Sequence, residues 1–154
     1  MTEFQPAAIW TSNWLWGLPL IVLTTLMHGF GLVAIRAGAV SRFARALHVG
    51  RSRVAFAIVL AATVLLVTAL HAIEGGVWAF AYVALGASPD TKLAMLYSLS
   101  AMTAYGHADI FLERDWQMLG ALEALNGLML FGLTTAFLFS VLQSNWPAWT
   151  RAGS

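Results

Sequence analysis

The sequence has no cysteine. That excludes disulfides, thiolate chemistry and cysteine-ligated metals in one step. Charge is scarce too: 10% of residues are Asp, Glu, Lys or Arg, against about 25% in soluble domains. With 60% hydrophobic residues and a mean hydropathy of +0.76, such a chain cannot present a water-compatible surface, and an integral membrane protein is expected. The net charge of +1 says little about partners, because in such a protein the position of each charge decides more than the sum. The length leaves room for one membrane domain per subunit and no separate soluble module. No G-x-x-x-x-G-K-[ST] loop, dinucleotide fingerprint or Ser-His-Asp frame is present, and the first apolar run has no regularly spaced arginines of the voltage-sensing kind. The residues therefore read as a non-enzyme.

What is present is three long apolar runs. The first, Trp14 to Ile35, is long enough at about 1.5 Å per residue to cross a hydrocarbon core of roughly 30 Å. The residues before it include Glu3 and no Lys or Arg, unlike the start of a cleavable signal peptide, so a permanent helix is expected. Arg36, Arg42, Arg45, Arg51 and Arg53 follow in a short basic segment. The positive-inside bias places that segment in the cytoplasm and explains its charge without nucleic acid as a partner. A second run starts at Val54 and continues to about Leu85, interrupted by His71 and Glu74, with Gly75 and Gly76 as the expected place for a bend. The last run, Trp116 to Val141, is followed by Trp146, Pro147 and Trp149, an interfacial anchor and a stop. Three spans put the amino terminus outside and the carboxyl terminus in the cytoplasm, in an inner (plasma) membrane.

Between the last two runs lies a stretch too short to span. Ser88, Pro89 and Asp90 give a helix start, with a side-chain cap, a proline at the first position and an acid in the first turn. The helix they open runs from Asp90 to about Met102, and polar, glycine-containing chain follows to Asp115. Such backbone survives at membrane depth only where protein buries it or it lines a water-filled cavity. One chain of this size cannot enclose it, which points to assembly around the segment. Four copies would aim the negative carboxyl ends of the short helices at one central cavity and stabilise a cation there.

From His71 to about Leu142 the sequence resembles the pore module of small bacterial members of the potassium-channel superfamily. The stretches that carry the resemblance are HAIEGGVWAFAY, YSLSAMTAYGHADIFL and WQMLGALEALNGLMLFGLTTAFLF. It implies an all-α membrane fold of three transmembrane helices plus a re-entrant pore helix and filter loop, assembled as a homotetramer. Residues 1–53 would form the first helix and the basic loop, and residues 54–154 the pore domain. The filter pattern Thr-x-Gly-Tyr-Gly-Asp falls on Ala104, Tyr105, Gly106, His107, Ala108 and Asp109, with Thr103 just before it. Three positions depart from that pattern. Ala104 lacks the hydroxyl that serves the innermost ion site, His107 replaces the bracing tyrosine with a pH-sensitive ring, and Ala108 puts a Cβ where positive φ is often needed. The resemblance thus implies a cation channel with permeating K, Na or Ca ions and no resident cofactor.

The remaining polar residues in the runs are read beside plainer alternatives. His71 and Glu74 share a helix face, as do Glu123 and Asn126, and His71 is the expected partner of Glu123 in a structural contact behind the filter. His28 is expected to be a satisfied or water-facing histidine. The alternative class is a membrane redox or metal-binding subunit, with haem held by His28 and His71, or a nonconducting structural subunit. Placing each histidine from its own helix centre separates the two by roughly 15 Å in depth, which argues against a shared ligand. The H-x-x-E pattern of His71 and Glu74 occurs once, whereas bundle metal sites usually repeat it. Gly120, Gly127 and Gly132 read as close-packing positions ahead of a gating hinge.

Overall fold

The computed structural model describes residues 6–46, 53–103, 105 and 110–144. The described chain is all helical. Helix α1 spans Pro6–Ile35 and continues through one π-helical turn, Arg36–Val40, into the short α2, Ser41–Ala46. Helix α3 spans Arg53–Ala84, α4 spans Thr91–Met102, and a 3-10 turn at Arg114–Trp116 opens α5, Gln117–Ser144. Three helical stretches, Ile9–Val40, Arg53–Ala84 and Arg114–Ser144, are long and apolar enough to cross a membrane, as a multi-pass membrane protein requires. Their outward faces agree with that reading, since Leu15, Val22, Phe30, Leu65 and Phe139 are exposed.

The contacts divide the chain into two compact units. The first comprises Met1–Met27 and Ala72–Leu130. Its core joins Trp78, Ala79 and Tyr82 of α3 to Ala94 of α4 and Leu119 of α5, with Ala87 and Leu112 from the connections. The second unit comprises His28–His71 and Phe131–Ser154, and its core gathers Val40, Ala55, Val59 and Val141.

Local chemistry fixes the element ends. Helix α3 stops at a Schellman motif: Gly86 takes φ +69°, its N–H donates to the Val83 carbonyl at 3.1 Å, and the Ala87 N–H donates to the Tyr82 carbonyl at 2.8 Å. The expected start of α4 shifts by two residues. Asp90, not Ser88, is the cap, and its carboxylate accepts from the backbone N–H groups of Lys92 and Leu93 at 2.8 and 2.9 Å; Pro89 therefore precedes the cap. The Glu113 N–H donates to the Ala87 carbonyl at 2.9 Å and ties the chain after α4 to the chain before it.

Helix α3 runs as one α-helix through Gly75 and Gly76. Gly75 allows close approach of α4, because a Cβ there would lie 3.2 Å from Leu99 and 3.3 Å from the Ser98 hydroxyl. The basic segment is helical as far as Ala46. Its apolar positions Ile35, Val40 and Ala44 pack on the second core while Arg42 and Arg45 stay exposed, which is the pattern of an amphipathic turn.

Candidate functional site

In the first unit, buried polar groups fasten α4 to α3 and α5. Glu123 on α5 is 0% exposed, and its two oxygens meet the Tyr82 hydroxyl from α3 and the Ser98 hydroxyl from α4. Ser98 also donates to the Gly75 carbonyl at 2.8 Å. A hydroxyl has one proton, and a carbonyl can only accept it. With that proton on the Gly75 carbonyl, the contact between Ser98 and Glu123 is a bond only when Glu123 is itself protonated and donates. A neutral Glu123 therefore satisfies every member: Tyr82 donates to it, it donates to Ser98, and Ser98 donates to Gly75. A carboxylate would leave two acceptor oxygens competing for the one Ser98 proton.

Aromatic and backbone packing complete the arrangement. Tyr97 of α4 meets Tyr82 edge-on with ring centroids 5.5 Å apart, and Gly120 of α5 gives room to the Tyr97 ring, which a Cβ would approach to 2.9 Å. Gly127 lies directly against the end of α4, where a Cβ would stand 2.6 Å from Met102 Cα. Both glycines are close-packing positions, as expected; Gly132 has open space around it.

The helix that carries these contacts ends at the expected filter. Thr103 caps α4 and donates its hydroxyl to the Leu99 carbonyl at 2.8 Å, and the Tyr105 N–H donates to the Ser100 carbonyl at 3.0 Å while its ring is 78% exposed. Ala104, Gly106, His107, Ala108 and Asp109 lie outside the described residues.

The intramembrane polar residues sort differently from the expected pairs. Glu123 takes Tyr82 and Ser98, both within the first unit. Asn126 turns to α1, donating to Thr24 Oγ1 at 2.7 Å and accepting from Thr25 at 3.4 Å. One turn of helix thus separates residues that serve different neighbours. Glu74 is wholly buried on α3. Asn13 of α1 is a buried polar residue that its sequence context does not single out. Its amide donates to the Ile9 and Asp115 carbonyls at 2.8 and 2.7 Å, and its oxygen accepts from the Leu119 N–H at 2.8 Å, capping the start of α5 from another helix.

In the second unit, His28 and His71 come together. Their ring centroids are 5.0 Å apart, and both Nε2 atoms lie on one hydroxyl, that of Thr134, at 3.2 and 3.0 Å. His71 also stacks on Phe131 with centroids 4.4 Å apart. The expected separation in depth is thereby corrected. It took each helix's midpoint as a common level, but α3 has 32 residues, well beyond the roughly 20 a bilayer needs, so its midpoint fixes no level.

No family model, curated protein or solved structure matches this chain. The reading of the site therefore rests on its own geometry.

Proposed function

We propose that the chain is one subunit of a tetrameric cation channel of the potassium-channel superfamily, with α4 as a re-entrant pore helix and residues 103–109 as the ion path. The observation that carries this reading is a twelve-residue helix, too short to span, fastened between two spanning helices by buried polar groups and by backbone contact at Gly127. A surface helix that merely crossed between spans would have no use for a glutamate sealed behind it. Leu93, Leu96 and Leu99 on α4 are exposed at helical spacing, a face that a second copy around a common axis would cover. In this arrangement residues 1–53 supply a peripheral anchor and residues 54–154 the pore. The basic segment sets the amino terminus outside and the carboxyl terminus in the cytoplasm.

The departures Ala104, His107 and Ala108 favour partly hydrated cations, monovalent or divalent, over a tight potassium cage. The test is conductance of the purified protein in planar bilayers with oligomeric state measured on the same sample. A tetramer passing cations is the expected result, and a dimer without current would sink the reading. Cysteine at Tyr105 should crosslink between subunits or react with cationic thiol reagents. Inertness there, with labelling on α1 instead, would mean the path is elsewhere.

One observation favours a second reading, a metal-binding or redox subunit. His28 and His71 converge on Thr134, and imidazole pairs are ligands for haem iron, copper and zinc. An absorbance spectrum and metal analysis of the purified protein separate the two readings, because a stoichiometric chromophore or ion belongs only to the second.

A further inference from the structure

Charge is segregated along this chain. The stretches of the second unit, His28–His71 and Phe131–Ser154, contain no acidic residue and six of the eight basic ones, all arginine. Within that unit a cleft of about 340 Å³ is lined by Arg36, Val40, Ser41, Ala44, Arg45 and Ser144. Its polar wall holds two guanidinium groups and two hydroxyls. Its apolar wall, Val40 and Ala44, continues into the core formed with Ala55, Val59 and Val141.

The two arginines are oriented rather than adrift. Arg36 Nη1 donates to the Ser140 hydroxyl on α5 at 2.7 Å, and Arg45 Nε donates to the Ser41 carbonyl at 3.0 Å. Each bond uses one of five guanidinium N–H donors, and the unit's sequence offers no carboxylate to neutralise either charge. Two fixed cations at the end of a spanning helix and next to an apolar wall form a receptor for a doubly natured ligand. Phosphate oxygens match the guanidinium forks, and an apolar remainder matches Val40 and Ala44.

We propose that this cleft binds a phosphate-bearing anion, namely the headgroup of an anionic phospholipid. Arg36 and Arg45 hold the phosphate through their remaining guanidinium N–H groups, and the acyl end lies along the apolar wall; the Ser41 and Ser144 hydroxyls donate to the Arg36 and Val141 carbonyls at 2.8 and 3.2 Å and shape the cleft without binding the anion. The bound lipid offsets the repulsion among the arginines of α2 and the π-helical turn, so this end of the chain depends on membrane composition.

The experiment compares detergent-solubilised protein titrated with dioleoyl phosphatidylglycerol, dioleoyl phosphatidylcholine or inorganic phosphate, with retained molecules counted by native mass spectrometry and thermal stability followed by circular dichroism. Phosphatidylglycerol should be retained and should raise the melting temperature, whereas phosphatidylcholine does neither. The double substitution Arg36→Gln and Arg45→Gln should weaken phosphatidylglycerol retention by about tenfold or more, while Arg42→Gln, which removes an equal charge from α2 outside the cleft, leaves it unchanged. Competition by millimolar inorganic phosphate would assign the same cleft to a soluble phosphate source, and failure to compete assigns it to the lipid. Equal retention of the two phospholipids by the unmodified protein would overturn the proposal whatever the variants do. Equal loss in Arg42→Gln would overturn it too, since that reports general surface charge.

Discussion

Replacing Glu123 tests the polar fastening of α4 directly, because three substitutions at this site separate its hydrogen bonding from its volume. Glu123→Gln keeps the shape, accepts from Tyr82 through its carbonyl oxygen and donates to Ser98 through its amide, which reproduces the donor and acceptor pattern of a neutral acid. Its cost should stay within about 1 kcal/mol. Glu123→Leu keeps most of the volume but leaves the Tyr82 hydroxyl buried without a partner, a loss of about 1–3 kcal/mol. Glu123→Ala adds a cavity and should cost about 2–5 kcal/mol in all. At about 2–4 °C per kcal/mol for a chain of this size, alanine lowers the melting temperature by roughly 5–15 °C and glutamine by only a few degrees. Circular dichroism at 222 nm in detergent gives the ranking. Adding Tyr82→Phe to the Leu variant should restore much of the loss, since the unsatisfied Tyr82 hydroxyl is then gone. If glutamine destabilises as much as alanine, the site holds a charged carboxylate and the proton inventory of Ser98 is wrong.

The remaining predictions concern packing, capping and conduction. Gly127→Ala should lower the melting temperature clearly, because its Cβ meets backbone at Met102, whereas Gly132→Ala in open space should be neutral or slightly stabilising; thermal unfolding of the pair decides. Asn13→Ala removes the acceptor for the Leu119 N–H and should cost about 1–2 kcal/mol, seen as faster proteolysis or hydrogen exchange at the start of α5. In planar bilayers Asp109→Asn should reduce cation current or divalent block, and acidification through about pH 6–7 should reduce current unless His107 is replaced by Gln. Sharp potassium selectivity untouched by Asp109→Asn would refute that assignment.

Much of the architecture was legible because the membrane imposes it. A span needs about 20 apolar residues with every backbone group satisfied internally, and only helices do this within one run, so composition and run length sufficed for α1, α3 and α5. The short helix was legible from Asp90 and the turn residues before it. Its boundary moved because Pro89 and Asp90 offer two competing starts, and the residue whose carboxylate reaches two free N–H groups takes the cap. Gly120 and Gly127 were legible as contacts for a similar reason, since a span gains little from glycine unless something approaches it closely.

Partner choice among buried polar residues was far less legible, and the reason is geometric. Helical spacing tells which residues of one helix share a face, but the partner depends on how neighbouring helices are rotated and shifted, which no period records. Glu123 and Asn126 sit three apart, yet one meets α3 and α4 while the other meets α1. His28 and His71 seemed separated in depth only while each helix was centred on itself, and Thr134, an unremarked hydroxyl on a third helix, joins them. Asn13 gave the one signal that could have been used, a lone amide ahead of an apolar run. In apolar surroundings an amide must find donors and acceptors, and the unmet backbone ones lie at helix ends. Buried hydroxyls such as Thr63 and Ser100 avoid the problem by donating to the carbonyl four residues back in their own helix, whereas Asn13, Asn126 and Glu123 reach other helices, and locating those partners is what requires three dimensions.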